Sequence, residues 1–212
     1  MAIKTLAIVQ ARMGSSRFPG KVLKEINGKY LIQILLYRLS LSKKIDKIVL
    51  ATTKKAEDDK LANEVSKLGF DVFRGSENNV LSRYYNAAKK YQPDIIIRVT
   101  GDCPIIDPEL VDMVISSYQK NSVDYISNVD PPTYPDGLDT EVFSYSALMK
   151  ANSQAKKPFD REHVTPFIRN NKNFKRMSFS NEVNYSNERW TVDEQEDFRV
   201  IKIPMSDYQF GI

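Results

Sequence analysis

Residues 6–24 read LAIVQARMGSSRFPGKVLK, and the rest of the chain can be read outward from how this segment divides. Leu6-Ala7-Ile8-Val9 is a short apolar, partly β-branched run that reads as a buried strand. Small, flexible and basic residues follow at once: Arg12, Gly14, Ser15, Ser16, Arg17, Gly20 and Lys21. Glycines let backbone N–H groups turn toward an anion, and crowding three cations into so short a loop is costly unless something negative sits among them. A strand running straight into such a loop predicts a phosphate cradle, with a triphosphate as a natural occupant. A solvated basic loop is the plainer alternative.

Two common phosphate loops are excluded by spacing. In a Walker loop, G-x-x-x-x-G-K is followed by Ser or Thr to hold magnesium. Here Gly14 and Gly20 stand one residue too far apart, and Val22 follows Lys21. The dinucleotide fingerprint G-x-G-x-x-G is also absent.

Beyond the loop, Leu31, Ile34, Leu35 and Leu39 fall at helical spacing, with Ile32 and Leu36 widening the apolar face. Strands are expected at 47–51, 71–74 and 95–99, and helices around Leu61–Leu68, Leu81–Ala88 and Leu110–Ser117. This alternation predicts an α/β fold of three layers, a mostly parallel sheet flanked by helices. Ligands on such sheets collect at the carboxyl ends of the strands, where both the 11–21 loop and the Gly101-Asp102 turn fall. From Asp124 the regularity fades. A turn-rich segment covers 129–137, a strand is expected at 141–143, helices at 147–155 and 161–171, weak alternation at 174–179, a strand at 189–192 and a helix at 194–201. The whole chain, 1–212, reads as one domain, with 130–180 as an excursion from the main sheet.

Composition narrows the class. The chain has 212 residues, 42% of them hydrophobic, and a net charge of +4, which suits an anionic small molecule at least as readily as nucleic acid. The single Cys103 excludes an internal disulfide and fits a reducing compartment. No apolar run approaches the roughly 20 residues of a membrane span, and Arg12 and Arg17 interrupt any signal-peptide core. The expectation is a cytoplasmic protein with no membrane contact.

Asp102 directly follows the apolar strand 95–99 in Thr100-Gly101-Asp102-Cys103-Pro104. A carboxylate at a strand end beside a polyphosphate site suits Mg2+, a hard ion held by one or two carboxylates plus phosphate oxygens. Asp193 ends the apolar stretch 189–192 and is a candidate second ligand; an acidic first helical turn is the alternative. Asp136, Asp139 and Glu141 are candidate acceptors for hydroxyl groups of a second substrate, or turn caps. His163 is the only histidine, so a histidine metal cluster is excluded; it could touch substrate, act as a base or be structural. Cys103 has no activating neighbour and reads as a packed small residue.

The motif A-R-x-G-S-x-R-x-P-G-K, complete here from Ala11 to Lys21, resembles the signature of sugar-activating cytidylyltransferases. These are the CMP-Kdo and CMP-sialic acid synthetase family, and the likeness is greatest to the spore-coat polysaccharide F-type branch. The resemblance implies that Ala11, Gly14 and Ser15 meet the nucleotide while Arg12, Arg17 and Lys21 neutralise its phosphates. It implies that Asp102 and Asp193, which match G-D-x-P and V-D-x-x-E-D-F patterns, hold the metal. It places Arg74 and Arg83 in a nucleotide-binding segment. Thr100 stands beside Gly101 where CMP-Kdo synthetases carry glutamine. Arg161 and His163 belong to a segment similar to the branch's E-H-V-T-P. The implied activity is Mg2+-dependent transfer of CMP from CTP to a sugar acid, sugar phosphate or related acceptor, with pyrophosphate released, in surface polysaccharide or glycoconjugate synthesis. The family also implies a homodimer. A nucleotide-sugar glycosyltransferase usually carries Asp-x-Asp, and no such triplet occurs here. A non-catalytic nucleotide-binding protein is the other alternative; it would leave Asp102 and Asp193 without a task.

Overall fold

In the computed structural model, which describes residues 4–205, Thr5–Gln10 (β1) is buried along nearly its whole length. Its side chains alternate between two cores: Ala7 and Val9 join one, Leu6 and Ile8 the other. A strand apolar on both faces is stable only in the middle of a sheet covered on each side. Glu25–Ile26 (β2) and Lys29–Tyr30 (β3) form a small hairpin around Asn27-Gly28, whose φ values of 51° and 73° suit the right-handed strand twist.

The regular part then runs Leu31–Ser40 (α1), Lys47–Thr53 (β4), Asp59–Lys67 (α2), Asp71–Gly75 (β5), Val80–Tyr91 (α3), Ile95–Thr100 (β6) and Pro108–Lys120 (α4). The remainder adds Tyr125–Ser127 (β7), Glu141–Ser144 (β8), Tyr145–Gln154 (α5), Pro158–His163 (α6), Pro166–Asn170 (α7), Arg176–Ser178 (β9) and Gln195–Met205 (α8). The main sheet has seven strands in the order β5-β4-β1-β6-β8-β7-β9. The first four are parallel to one another, and β8 runs antiparallel to both of its neighbours.

Buried side chains of α1, α2 and α4 fill the core on one face, and those of α3, α5 and α7 fill the other. Each fully buried Leu or Ile in these layers contributes roughly 1.5–3 kcal/mol. A third, smaller cluster joins Ile26, Leu31 and Ile34 to Val192 and Ile201, with Phe18 and Phe198 packed against it. It fastens the start of α8 to the loop that follows β1. The expected three-layer α/β fold is the one observed.

Several expectations are corrected. The helix expected at 161–171 is two helices, because Pro166 has no N–H for the Glu162 carbonyl. Between them Val164 takes φ 72° and ψ −59°, and the Thr165 N–H donates to the His163 carbonyl at 2.9 Å, a strained γ-turn. The strand expected at 189–192 is an extended segment with one bridge, Arg189 to Asp136; its backbone partners are loops at the sheet's carboxyl edge. The 130–180 stretch does not leave the sheet altogether, since β8 and β9 pair into it and β8 puts Val142 and Phe143 on opposite cores. The hairpin and β7 were not foreseen.

Candidate active site

β1 and β6 are adjacent and parallel, with Gln10 in register with Thr100. Successive crossovers run from β1 through β4 to β5, then return to the other side of β1, so the strand order reverses between β1 and β6. That reversal opens a crevice beyond their carboxyl ends. The two exits lie in contact: the Gly101 N–H donates to the Gln10 carbonyl at 2.8 Å, and a Cβ on Gly101 would sit 2.6 Å from that of Ala11. Glycine is therefore required at 101.

The loop after β1 is folded on itself. The Ser15 and Gly20 N–H groups both donate to the Met13 carbonyl at 2.9 Å, and Gly20 takes φ 70°. Asp58 anchors the loop from below: fully buried, it accepts the Met13 N–H at 2.6 Å and the Thr53 hydroxyl.

At the loop's end Lys21 points into the crevice. Its ammonium donates to Asp102 Oδ2 and to Asp193 Oδ1, each at 2.9 Å. The two carboxylate oxygens thus lie within twice that distance of each other, around one cation. Asp193 Oδ2 also meets Arg17 at 3.1 Å and Arg189 at 3.0 Å. Burial pushes the Asp193 carboxyl up, but hydrogen bonds from Lys21 and Arg189 and the charges of Lys21 and Arg17 outweigh it, and its pKa falls below the usual range.

Eleven of the sequence candidates line one cleft of about 410 Å³: Ala11, Arg12, Ser15, Arg17, Lys21, Arg83, Thr100, Gly101, Asp102, His163 and Asp193. His163 stands at the wall beside Glu162, its ring 4.4 Å from that of Phe159. Arg12 is held at the rim by Glu77 at 3.0 Å. Burial drives the Cys103 thiol well above its ordinary pKa, which leaves it inert, as expected of a packed side chain.

Other candidates lie elsewhere. Gly14 abuts the Glu57 side chain rather than the cleft. Arg74 donates to the Thr53 and Lys55 carbonyls at 2.8 Å each and pairs with Asp59, so it braces the end of β4. Glu141 is buried in the sheet, ion-paired with Arg98 and bonded to the Tyr125 hydroxyl. Arg161 joins α6 to α5 through Asn152 at 3.0 Å. Asp136 is bound by Arg189 at 2.6 Å. Asp139 is tucked inward, and burial raises its pKa to about 6.

Sequence reading missed Gln10, Glu77, Asn78 and Glu162 in the cleft wall and placed Ser16 there through the cationic loop. It also missed Arg189 and Asp197 behind Asp193. The spacing of Arg189, Asp193 and Asp197, four residues apart, was a usable signal; the hold of Asp58 on the loop offered none, because Met13 lies 45 positions away.

Among the described residues no group of three or more His, Cys, Asp or Glu side chains could enclose a metal. The Asp102–Asp193 pair, already converged on a cation, fits a hard divalent ion that completes its shell with phosphate oxygens and water.

The family model described as cytidylyltransferase matches residues 6–208. The chain belongs to the cytidylyltransferase family. It is therefore a nucleotidyltransferase. The spore coat polysaccharide biosynthesis protein SpsF of Bacillus subtilis is 38% identical over 205 residues, covering 93% of this chain and 84% of that protein. A cytidylyltransferase structure from Leptospira borgpetersenii serovar Hardjo-bovis superposes with a TM-score of 0.94 at 36% identity, covering 98% of this chain and 89% of the other. The fold alone is shared with a CMP:2-keto-3-deoxy-manno-octonic acid synthetase complexed with CTP: TM-score 0.75, 17% identity, 96% and 98% covered. This cytidylyltransferase brings a cationic loop and two aspartates together in one cleft.

Proposed function

We propose that the protein transfers CMP from CTP to a sugar-acid, sugar-phosphate or related acceptor, with Mg2+ required and pyrophosphate released, in the synthesis of a surface polysaccharide or glycoconjugate. The observation that carries this reading is the meeting of Lys21, Asp102 and Asp193 at one point in the cleft beyond β1 and β6. Kinship to SpsF supports the polysaccharide setting.

An acceptor oxygen attacks the α-phosphate in line, the bond to the β-phosphate breaks, and pyrophosphate takes up its electron pair. Such a reaction needs positioning and charge neutralisation more than covalent help. Arg12, Arg17 and Lys21 neutralise the leaving pyrophosphate, with Lys21 passing from the two carboxylates to a phosphate oxygen when nucleotide enters. Asp102 and Asp193 would hold Mg2+, which when bound would supply Lewis-acid withdrawal of charge from the phosphates. Backbone at Ala11, Ser15 and Gly101 contacts the nucleotide.

Two buried atoms belong to residues that line the cleft. Among the described residues Gln10 Oε1 and Arg83 Nε have no hydrogen-bond partner, one an acceptor and one a donor. An exocyclic amino group and a ring acceptor, both of which cytosine carries, would satisfy them, and the choice of CTP rests on the family match. His163 and Glu162, on the opposite element α6, face the acceptor. We assign the chain as one domain acting in the cytoplasm as a homodimer, joined through the 130–180 stretch, where Met149 and Phe159 are exposed.

The test is pyrophosphate release by purified protein with each of the four ribonucleoside triphosphates, Mg2+ and a panel of sugar acids, sugar phosphates and phosphonates. CTP-selective release that chelation abolishes is expected. Release that favours another base, or that survives chelation, rejects the reading.

A further inference from the structure

We propose that Arg189 is a positioning residue for the transfer reaction, fixing the Asp193 carboxylate and tying it to the loop that carries Asp136. The inference rests on the reading of Asp193 as a metal-holding carboxylate. Every nitrogen of the Arg189 guanidinium is engaged. Nε meets Asp197 Oδ1 at 3.0 Å, Nη1 meets Asp136 Oδ2 at 2.6 Å, and Nη2 meets Asp193 Oδ2 at 3.0 Å and Asp197 Oδ2 at 3.1 Å. A planar fork of this kind fixes direction as well as charge.

The two oxygens of Asp193 are thereby divided. Oδ2 is held by Arg189 and Arg17, while Oδ1 is left aimed at the point shared with Asp102. Asp197 reinforces this from the backbone side, accepting the N–H groups of Asp193 at 2.8 Å and Glu194 at 2.9 Å. The Asp136 end is equally fixed. Its N–H donates to the Glu188 carbonyl at 3.0 Å, and the Trp190 N–H donates to its carbonyl at 2.6 Å. Gly137, at φ 112°, lies so close that a Cβ there would be 2.5 Å from the Trp190 carbonyl carbon. Arg189 is thus clamped between two backbone segments and carries their spacing to Asp193.

Charge and position predict opposite results. Removing a cation beside two carboxylates makes the site more negative, which alone tightens a divalent ion. Losing the orientation of a liganding carboxylate weakens that ion, typically by 10–100-fold.

The experiment titrates Mn2+ into the full chain with saturating CTP and follows free Mn2+ by electron paramagnetic resonance. Arg189→Gln is expected to raise the half-saturating Mn2+ concentration by about 10–100-fold. Arg189→Lys follows it, since one ammonium cannot span three carboxylates. Arg199→Gln, which removes an exposed α8 cation paired only at 3.8 Å, leaves the midpoint unchanged. An Arg189→Gln midpoint equal to or below wild type, or full rescue by lysine, overturns the proposal. If circular dichroism shows Arg189→Gln unfolded, Asp136→Asn cuts one arm only, and a midpoint unshifted there overturns the proposal as well. Wild type that fails to bind Mn2+ with CTP overturns the functional reading and this inference together, whereas wild-type binding with an unshifted variant overturns this inference alone.

Discussion

Lys21 and Asp193, 172 positions apart, meet at 2.9 Å, and the same ammonium meets Asp102 at 2.9 Å. The Lys21 side chain is only 10% exposed, so the charge is compensated within the cleft rather than by water. On the proposed reading a metal ion would take the two carboxylates and a triphosphate the ammonium.

Lys21→Ala and Asp102→Asn are each expected to lower turnover by about a hundredfold, on the order of 3 kcal/mol of barrier, the usual effect of losing one positioned charge. Circular dichroism should remain native, because neither side chain belongs to a hydrophobic cluster. Pyrophosphate release near the wild-type rate by either folded variant would reject its assigned role.

Gln10→Leu removes the unpartnered acceptor while preserving most of the side-chain volume. A missing hydrogen bond to a buried polar group is worth about 1–3 kcal/mol. KM for CTP should therefore rise roughly tenfold or more, with kcat nearly unchanged and preference over UTP reduced. Steady-state kinetics with both nucleotides settles it; unaltered selectivity would place the base elsewhere.

The sheet and the cationic loop were legible in the sequence because both are local. Leu6–Val9 is apolar on both faces, and the spacing of basic residues with glycine is visible in one segment. Asp102 was legible for the same reason, as a polar residue ending an apolar strand. Glu141 was misread because its partner, Arg98, is brought alongside only by the pairing of β8 with β6. Arg74 was misread likewise, since the carbonyls it bonds belong to β4 and its exit. The 189–192 segment has strand-like composition, yet whether an extended run finds a strand or a loop beside it depends on the tertiary fold.

Asp139 carries a pH signature. Burial raises its folded pKa to about 6, well above the ordinary aspartate value, so the folded state takes up a proton more readily than the unfolded one. Stability from this group is complete below the unfolded pKa and is lost as pH rises through about 6. Asp139→Asn abolishes the ionisation, so it should stabilise the protein by up to about 3 kcal/mol at pH 8, with the gain vanishing near pH 4. Urea unfolding at both pH values measures it. An equal gain at both would mean the carboxyl is not buried in the folded protein.

Arg98 and Glu141 form a largely internal ion pair across β6 and β8, with the Tyr125 hydroxyl also donating to the carboxylate. Burial pushes the Glu141 carboxyl up, and the Arg98 charge together with hydrogen bonds from Thr165 and Tyr125 holds it below its usual range. Arg98→Met strands that carboxylate and should cost about 3–5 kcal/mol, because an unpaired charge inside a sheet is far worse than no charge at all. Arg98→Met with Glu141→Leu removes both charges, replaces them with apolar volume, and should recover most of the loss. The double variant should also retain its KM for CTP, since neither residue lines the cleft. Chemical denaturation of Arg98→Met, Glu141→Leu and the double variant gives the coupling energy. A double variant as unstable as Arg98→Met, or one with CTP binding lost, would restore Glu141 to the functional residues from which its burial in the sheet removes it.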